Sequence, residues 1–187
     1  MHLTQLKHRA AVLLAALAAV GISAVAPASA QARPAPVSGL VRPNVSVAPP
    51  VFLLRNSNGK CADVQFGDTR NFVPVVMHEC TTGASQTWVT INNDDGTISL
   101  SNAKSNRCLD VLYGLTFDFV PTVQYDCHSG PIQHWTITDV FDGTKLLKNQ
   151  NSGKCLDVQY GFPGDSAPVQ QFTCTAADPQ RWNLKPV

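Results

Sequence analysis

The sequence predicts an all-β domain: three 47-residue repeats closed into a pseudo-threefold object of about twelve short strands. Three observations lead there. First, Cys61, Cys108 and Cys155 are 47 residues apart (108 − 61, 155 − 108). The same spacing separates Cys80, Cys127 and Cys174, and Trp88, Trp135 and Trp182, each Trp two residues after Gln86, Gln133 or Gln180. A period of this size marks tandem repetition of one supersecondary unit. Second, after residue 30 short apolar runs alternate with Gly, Pro, Asn and Asp clusters, the pattern of many short strands and not of long amphipathic helices. Third, the count is three, which suits a closed object, and closure removes the sheet edges that would otherwise pair with other chains.

The elements follow in order. The first unit reads as strands near 52–55, 61–64, 75–79 and 88–91, and the second as 98–101, 108–111, 122–126 and 135–138. The third reads as 145–148, 155–158, 169–173 and 182–185. Asp95-Gly96 and Asp142-Gly143 between units are hairpin signals. With no insertion or deletion in the Cys and Trp series, Leu53, Leu100 and Leu147 align, as do Val64, Val111 and Val158. These are the side chains a threefold axis would converge into one core. Gly67, Gly114 and Gly161 also align and suggest a backbone bend that a Cβ would obstruct. Pro74, Pro121 and Pro168 form a fourth series.

Ahead of the repeats, residues 1–30 combine Lys7, His8 and Arg9 with an Ala-rich apolar run and Ala28-Ser29-Ala30. This is the pattern of a secretory signal peptide, too short in its apolar part for a membrane span. Residues 31–50 hold Pro34, Pro36, Pro43, Pro49 and Pro50 among small residues and read as an extended tether. Residues 51–187 are one domain's worth of chain. The whole chain has 14 basic and 13 acidic residues. Loss of Lys7 and Arg9 leaves 12 against 13, a net charge of −1, with no basic patch for nucleic acid or an anionic membrane.

A secreted, extracellular location suits six Cys engaged in disulfides. Six Cys can pair in many ways, but the repeat favours Cys61–Cys80, Cys108–Cys127 and Cys155–Cys174. Each closure is worth about 3 kcal/mol in the chain-entropy model. The spacing does not match zinc ligands, so no metal and no cofactor is expected. Enzyme signatures are absent too: no Gly-x-Ser-x-Gly, phosphate loop, dinucleotide fingerprint or His-Glu-x-x-His occurs. The repeated Asp residues, related by a threefold axis, would lie too far apart for a glycosidase pair.

Each unit therefore reads Cys-x-Asp-Val, a second Cys, then Gln-x-Trp. The matches are Cys61-Ala62-Asp63-Val64 with Gln86-Thr87-Trp88, Cys108-Leu109-Asp110-Val111 with Gln133-His134-Trp135, and Cys155-Leu156-Asp157-Val158 with Gln180-Arg181-Trp182. This pattern resembles the ricin B-type β-trefoil lectin family (carbohydrate-binding module 13) over essentially all of residues 51–187. The resemblance implies a β-trefoil with one potential sugar pocket per unit, here in a stand-alone secreted module.

A sugar offers hydroxyls on one side and a C–H patch on the other. A carboxylate accepts hydroxyl hydrogen bonds, a ring covers the C–H patch and amides fill the remaining donors and acceptors. Carried over by position, the second unit offers Asp110, Gln124, Tyr125 and His128. The third offers Asp157, Gln170 and Phe172, and the first offers Asp63 with His78 at the stacking position. On this comparison the second and third units rank above the first. The family's Asn before Gln-x-Trp is replaced here by Ser85, Ile132 and Pro179.

Phe72 and Phe119, in the loop before the third strand, are expected either to extend the binding surface or to cover it, with Ser166 leaving the third unit more open. Phe66, Tyr113 and Tyr160 are expected to pack beneath the loop, the Gln-x-Trp residues to be structural. The leading expectation is a lectin for galactose- or xylose-type glycans with up to three weak sites. The alternative is a trefoil scaffold with lost sugar sites that binds a protein partner, as an inhibitor or a toxin-like delivery subunit. The replaced Asn and the two loop Phe favour that alternative.

Overall fold

The computed structural model describes residues 50–187; the signal-peptide and tether expectations lie, Pro50 apart, outside that range. Twelve strands follow one another. The first unit has β1 (Val51–Asn56), β2 (Cys61–Val64), β3 (Val73–His78) and β4 (Thr87–Asn92). The second has β5 (Ile98–Asn102), β6 (Cys108–Val111), β7 (Val120–Tyr125) and β8 (Trp135–Asp139). The third has β9 (Lys145–Asn149), β10 (Cys155–Val158), β11 (Val169–Phe172) and β12 (Trp182–Pro186).

The pairing closes on itself. Strand β1 pairs with β4, β4 with β5, β5 with β8, β8 with β9, β9 with β12, and β12 with β1, all antiparallel. This six-stranded ring is a barrel with no free edge. The remaining strands form hairpins β2–β3, β6–β7 and β10–β11. They join to one another through β3–β7, β7–β11 and a bridge from Val76 to Pro168. A six-stranded barrel with a triangle of three hairpins is a β-trefoil. These cross-unit pairings also explain why β3 and β7 begin at Val73 and Val120, two residues before the expected starts. Val73 and Pro74 pair with Gln124 and Val123, and Val120 and Pro121 with Gln171 and Gln170.

The core repeats by threes. Trp88, Trp135 and Trp182 are fully buried, each with its indole N–H donating to a carbonyl of its own unit's second strand: Ala62 (3.2 Å), Leu109 (3.3 Å) and Leu156 (3.0 Å). A buried indole N–H left without an acceptor would be costly, so these bonds fix the depth and rotation of each ring. Val64, Val111 and Val158 are buried around them. The three disulfides connect Cys61–Cys80, Cys108–Cys127 and Cys155–Cys174, the pairing the repeat favours.

The first unit departs from the 47-residue period in β1. Leu100 and Leu147 are fully buried, but their counterpart in the first unit is Leu54, not Leu53, which is only partly buried. The β1–β2 turn is one residue shorter than its two equivalents. Arg55 faces Cys61 across the hairpin, as Ser101 faces Cys108 and Lys148 faces Cys155. Counted back from the Cys, the 47-residue period slips by one in β1. Because strand side chains alternate between faces, a slip of one exchanges inside and outside. The side-chain amides of Asn56, Asn102 and Asn149 confirm the register. Each donates across the seam to the carbonyl of the residue before the preceding unit's Gln-x-Trp, the third unit's in the case of Asn56: Pro179 (3.0 Å), Ser85 (2.8 Å) and Ile132 (2.7 Å). Leu54→Ala should therefore cost about 2–5 kcal/mol of unfolding free energy and Leu53→Ala less than about 1 kcal/mol. Denaturant unfolding of the two variants checks this, and equal costs would contradict the assigned register.

Candidate functional site

Each pocket begins at the end of the second strand. After Val64, Val111 and Val158 the chain makes a single 3-10 turn whose middle residue is an aromatic with left-handed backbone: Phe66 (φ 57°), Tyr113 (φ 53°) and Tyr160 (φ 54°). The glycines that follow are left-handed as well. A Cβ on Gly114 would lie 2.7 Å from Ile132 Cδ1, and one on Gly161 would lie 3.0 Å from Pro179 Cγ. Ile132 and Pro179, at the family's Asn position, thus press against the glycine turn, so a Cβ there would crowd them in a backbone conformation that already favours glycine. The aromatics were expected beneath the loop, yet Phe66 is 94%, Tyr113 73% and Tyr160 83% exposed. Left-handed backbone swings each ring outward, at a cost of order 1–3 kcal/mol per non-glycine residue.

The Asp of Cys-x-Asp-Val lies at the pocket floor. In the first two units the Gln of Gln-x-Trp holds it: Gln86 Nε2 donates to Asp63 Oδ2 and Gln133 Nε2 to Asp110 Oδ2, both at 2.8 Å. The same amides also donate to the carbonyls of Glu79 (2.8 Å) and Asp126 (3.0 Å) and accept from the backbone N–H of Thr81 (2.7 Å) and His128 (2.9 Å). In the third unit Gln180 makes the equivalent backbone bonds with Thr173 and Thr175. There Gln170 Nε2 donates to Asp157 Oδ1 at 2.9 Å. At the pocket floors, among the described residues, Asp63 Oδ1 and Gln170 Oε1 are buried without a protein donor. Burial raises the carboxyls of Asp110 and Asp157 above the ordinary 3.8, opposed by the hydrogen bond from Gln133 at Asp110 and from Gln170 at Asp157.

The walls come from two units at once. Phe72, Phe119 and Ser166, all left-handed, occupy equivalent loop positions, but each lies over the next unit's site. Phe72 donates its N–H to Gln124 O and its ring sits 4.9 Å from Tyr125 and 5.5 Å from Tyr113. Phe119 donates to Gln171 O and sits 4.9 Å from Phe172 and 5.7 Å from Tyr160. Ser166 donates to Met77 O and lines the first unit's pocket. Ser166 therefore opens the first pocket and not the third, because the hairpin triangle carries each loop across the seam. The third pocket, a cavity of about 220 Å³, is walled by Phe119, Tyr160, Phe172 and Pro179 over Asp157 and Gln170. Asp63, Phe66, His78, Ser85 and Ser166 surround a cavity of about 280 Å³ in the first.

Most of the expected site residues come together. Tyr125 and Phe172 are half-buried beside the loop phenylalanines. His128 places Nε2 3.6 Å from Asp110 Oδ2, while its Nδ1 accepts from Gly130 N–H at 3.0 Å. In the neutral ring that leaves the proton on Nε2, facing the carboxylate. His78 is exposed at the first pocket's rim.

Gln124 goes elsewhere. Its side chain is fully buried, donating to the carbonyls of Asp68 (2.8 Å) and Arg70 (2.7 Å) and accepting from Ser105 Oγ (2.6 Å). Gln171 repeats this with Leu115 (2.8 Å), Phe117 (2.9 Å) and Ser152 (2.7 Å). These two amides latch the loops that carry Phe72 and Phe119. The Gln124/Gln171 match at one period, against Met77 in the first unit, was the available signal for such a role. Gln171→Ala should lower stability by about 1–3 kcal/mol through the buried carbonyls it leaves unpaired and raise amide exchange across 115–119. Unchanged exchange there would contradict the latch.

Comparison with known proteins places this geometry in a class. The ricin-type beta-trefoil lectin domain model matches residues 50–182. A search of curated protein sequences found no match. Among solved structures, a designed 3-fold symmetric protein, ThreeFoil, is 30% identical with TM-score 0.72, covering 73% of this chain and 99% of that one. The exo-beta-1,3-galactanase 1,3Gal43A from Clostridium thermocellum is 29% identical with TM-score 0.72, over 76% of this chain but only 31% of the enzyme. The hemolytic lectin CEL-III is 27% identical with TM-score 0.59, over 73% of this chain and 31% of its own. The class defined is that of carbohydrate-binding β-trefoils. The chain belongs to the ricin-type beta-trefoil lectin family.

Proposed function

We propose that this chain is a secreted lectin that binds galactose- or xylose-type glycans through its repeated pockets and has no catalytic activity of its own. The observation that carries the reading is the third pocket. Asp157 and the unpartnered Oε1 of Gln170 form a buried acceptor floor beneath the rings of Phe119, Tyr160 and Phe172. Buried polar atoms normally have partners, and sugar hydroxyls are donors of the right kind, delivered with an apolar face for the rings. The second unit offers a related set in Asp110, His128, Tyr113, Tyr125 and Phe72. The likeness to a domain of a galactanase supports a galactose-type preference. Shallow single pockets bind modestly, and repetition on one rigid body supplies avidity.

The exposed rings of Phe66, Tyr113 and Tyr160 favour a second reading, a protein-binding trefoil. A glycan array on the oxidised protein, competed with free galactose and xylose, separates the two. The lectin reading predicts competed binding to a related set of glycans, reduced at least about tenfold when Asp110→Ala and Asp157→Ala are combined, because two charge-assisted acceptors are lost. The protein should stay folded with a modest loss of melting temperature, since removal of two desolvated carboxyls offsets part of the cost of leaving the amides of Gln133 and Gln170 without that acceptor. Retention unaffected by the double substitution, or a blank array from folded protein, would contradict it.

A further inference from the structure

The first pocket differs from the other two in a consistent direction. Where they carry a half-buried ring before the second Cys, it has exposed His78. Where Phe72 and Phe119 wall the others, it has Ser166. It alone gains a lysine, because the β5–β6 turn brings Lys104 over its mouth. Lys104 Nζ lies so close above the left-handed turn that a Cβ on Gly67 would sit 2.6 Å from it. The residue at the same turn position in the next unit is Asn151, which donates to Gly114 O at 3.0 Å. Lys104 makes no ion pair among the described residues, although six other Lys and Arg side chains there do. Asp165, 4.0 Å from His78 Nδ1, is itself bound by Lys60 at 2.8 Å. At the floor, Asp63 Oδ1 is buried without a donor.

We propose that this first pocket binds a sugar carrying a carboxylate, a uronic acid, with Lys104 and His78 as the residues that select it. The inference rests on the carbohydrate reading of the pockets and names a substrate class for one of them. Asp63 accepts hydrogen bonds from ring hydroxyls, as in the other units. The sugar carboxylate faces the lysine ammonium, and the imidazole N–H serves as a further donor. Replacing Phe by Ser166 makes room for the extra oxygens and removes an apolar wall against which a charged group would be desolvated.

The test is a titration of the isotope-labelled chain with D-galacturonate and with D-galactose at low salt, read at the backbone amides of Phe66, Gly67 and Lys104. Galacturonate should reach half-saturation at these amides at about fivefold lower concentration than galactose, the scale of one partly exposed charge pair. Lys104→Gln, an exposed substitution, should bring the two sugars within about twofold. Equal responses in the unsubstituted chain, or a preference that survives Lys104→Gln, would overturn the proposal. Amides at Tyr160 and Gly161 report the third pocket independently. If those respond and the first pocket's do not, this inference falls while the lectin reading stands. No response to either sugar at any of these amides overturns this inference and the galactose-type reading together.

Discussion

Everything in these sites hangs on one buried amide per unit, the Gln of Gln-x-Trp. Its oxygen fixes the loop after the second Cys, and one N–H ties the end of the third strand. In the first two units the other N–H reaches the pocket Asp. Two residues on, the Trp is anchored through its indole N–H to the strand that carries that Asp. The carboxylate is therefore oriented by groups whose first task is to complete the core. A site supported this way is held in position before any ligand arrives, which lowers the ordering cost of binding. In the third unit Gln170 orients Asp157, and its oxygen becomes part of the floor.

The second organising constraint is threefold closure. Six strands make the ring and three hairpins interlock beside it, so a loop belonging to one unit in sequence forms the wall of the next unit's pocket. The three sites consequently diverge in pairs of changes. Phe72 serves the second site and Phe119 the third, while Ser166 leaves the first open. One scaffold thereby presents two aromatic-walled pockets and one polar pocket with a cation at its rim. Left-handed backbone at all three wall positions and at all three exposed rings shows where conformational strain is concentrated. Strain of this sort persists only where surrounding structure enforces it. Here the Gln124 and Gln171 latches and the hairpin pairing supply that enforcement.

Much of this was legible in the sequence, and what was not has physical causes. The Cys and Trp spacing specified the repeat, the strands and the disulfide pairing, because those residues hold the same structural place in every unit. The same spacing misplaced Leu53, since a one-residue shortening between β1 and β2 lies upstream of Cys61 and leaves the spacing between the Cys untouched. Gln124 was read as a sugar contact from its nearness to Tyr125. Strand alternation instead turns it inward, where it satisfies carbonyls of a neighbouring loop. The partnership of Phe119 with Phe172 could not be read at all from a linear comparison, which assigns each residue to its own unit. Nor could the outward swing of Phe66, Tyr113 and Tyr160, which depends on a positive φ at residues that rarely adopt one.

A carboxylate and amide floor, set by the core and walled by rings from two units, is positioned to receive a sugar. A crystal structure of the chain with a bound methyl galactoside or xylobiose tests it most directly. Ring hydroxyls should lie within about 2.6–3.2 Å of Asp157 and Gln170 Oε1, with the sugar's C–H face against Phe119 or Phe172. A sugar found away from the three Asp-floored pockets, or those pockets empty at saturating ligand, would contradict it.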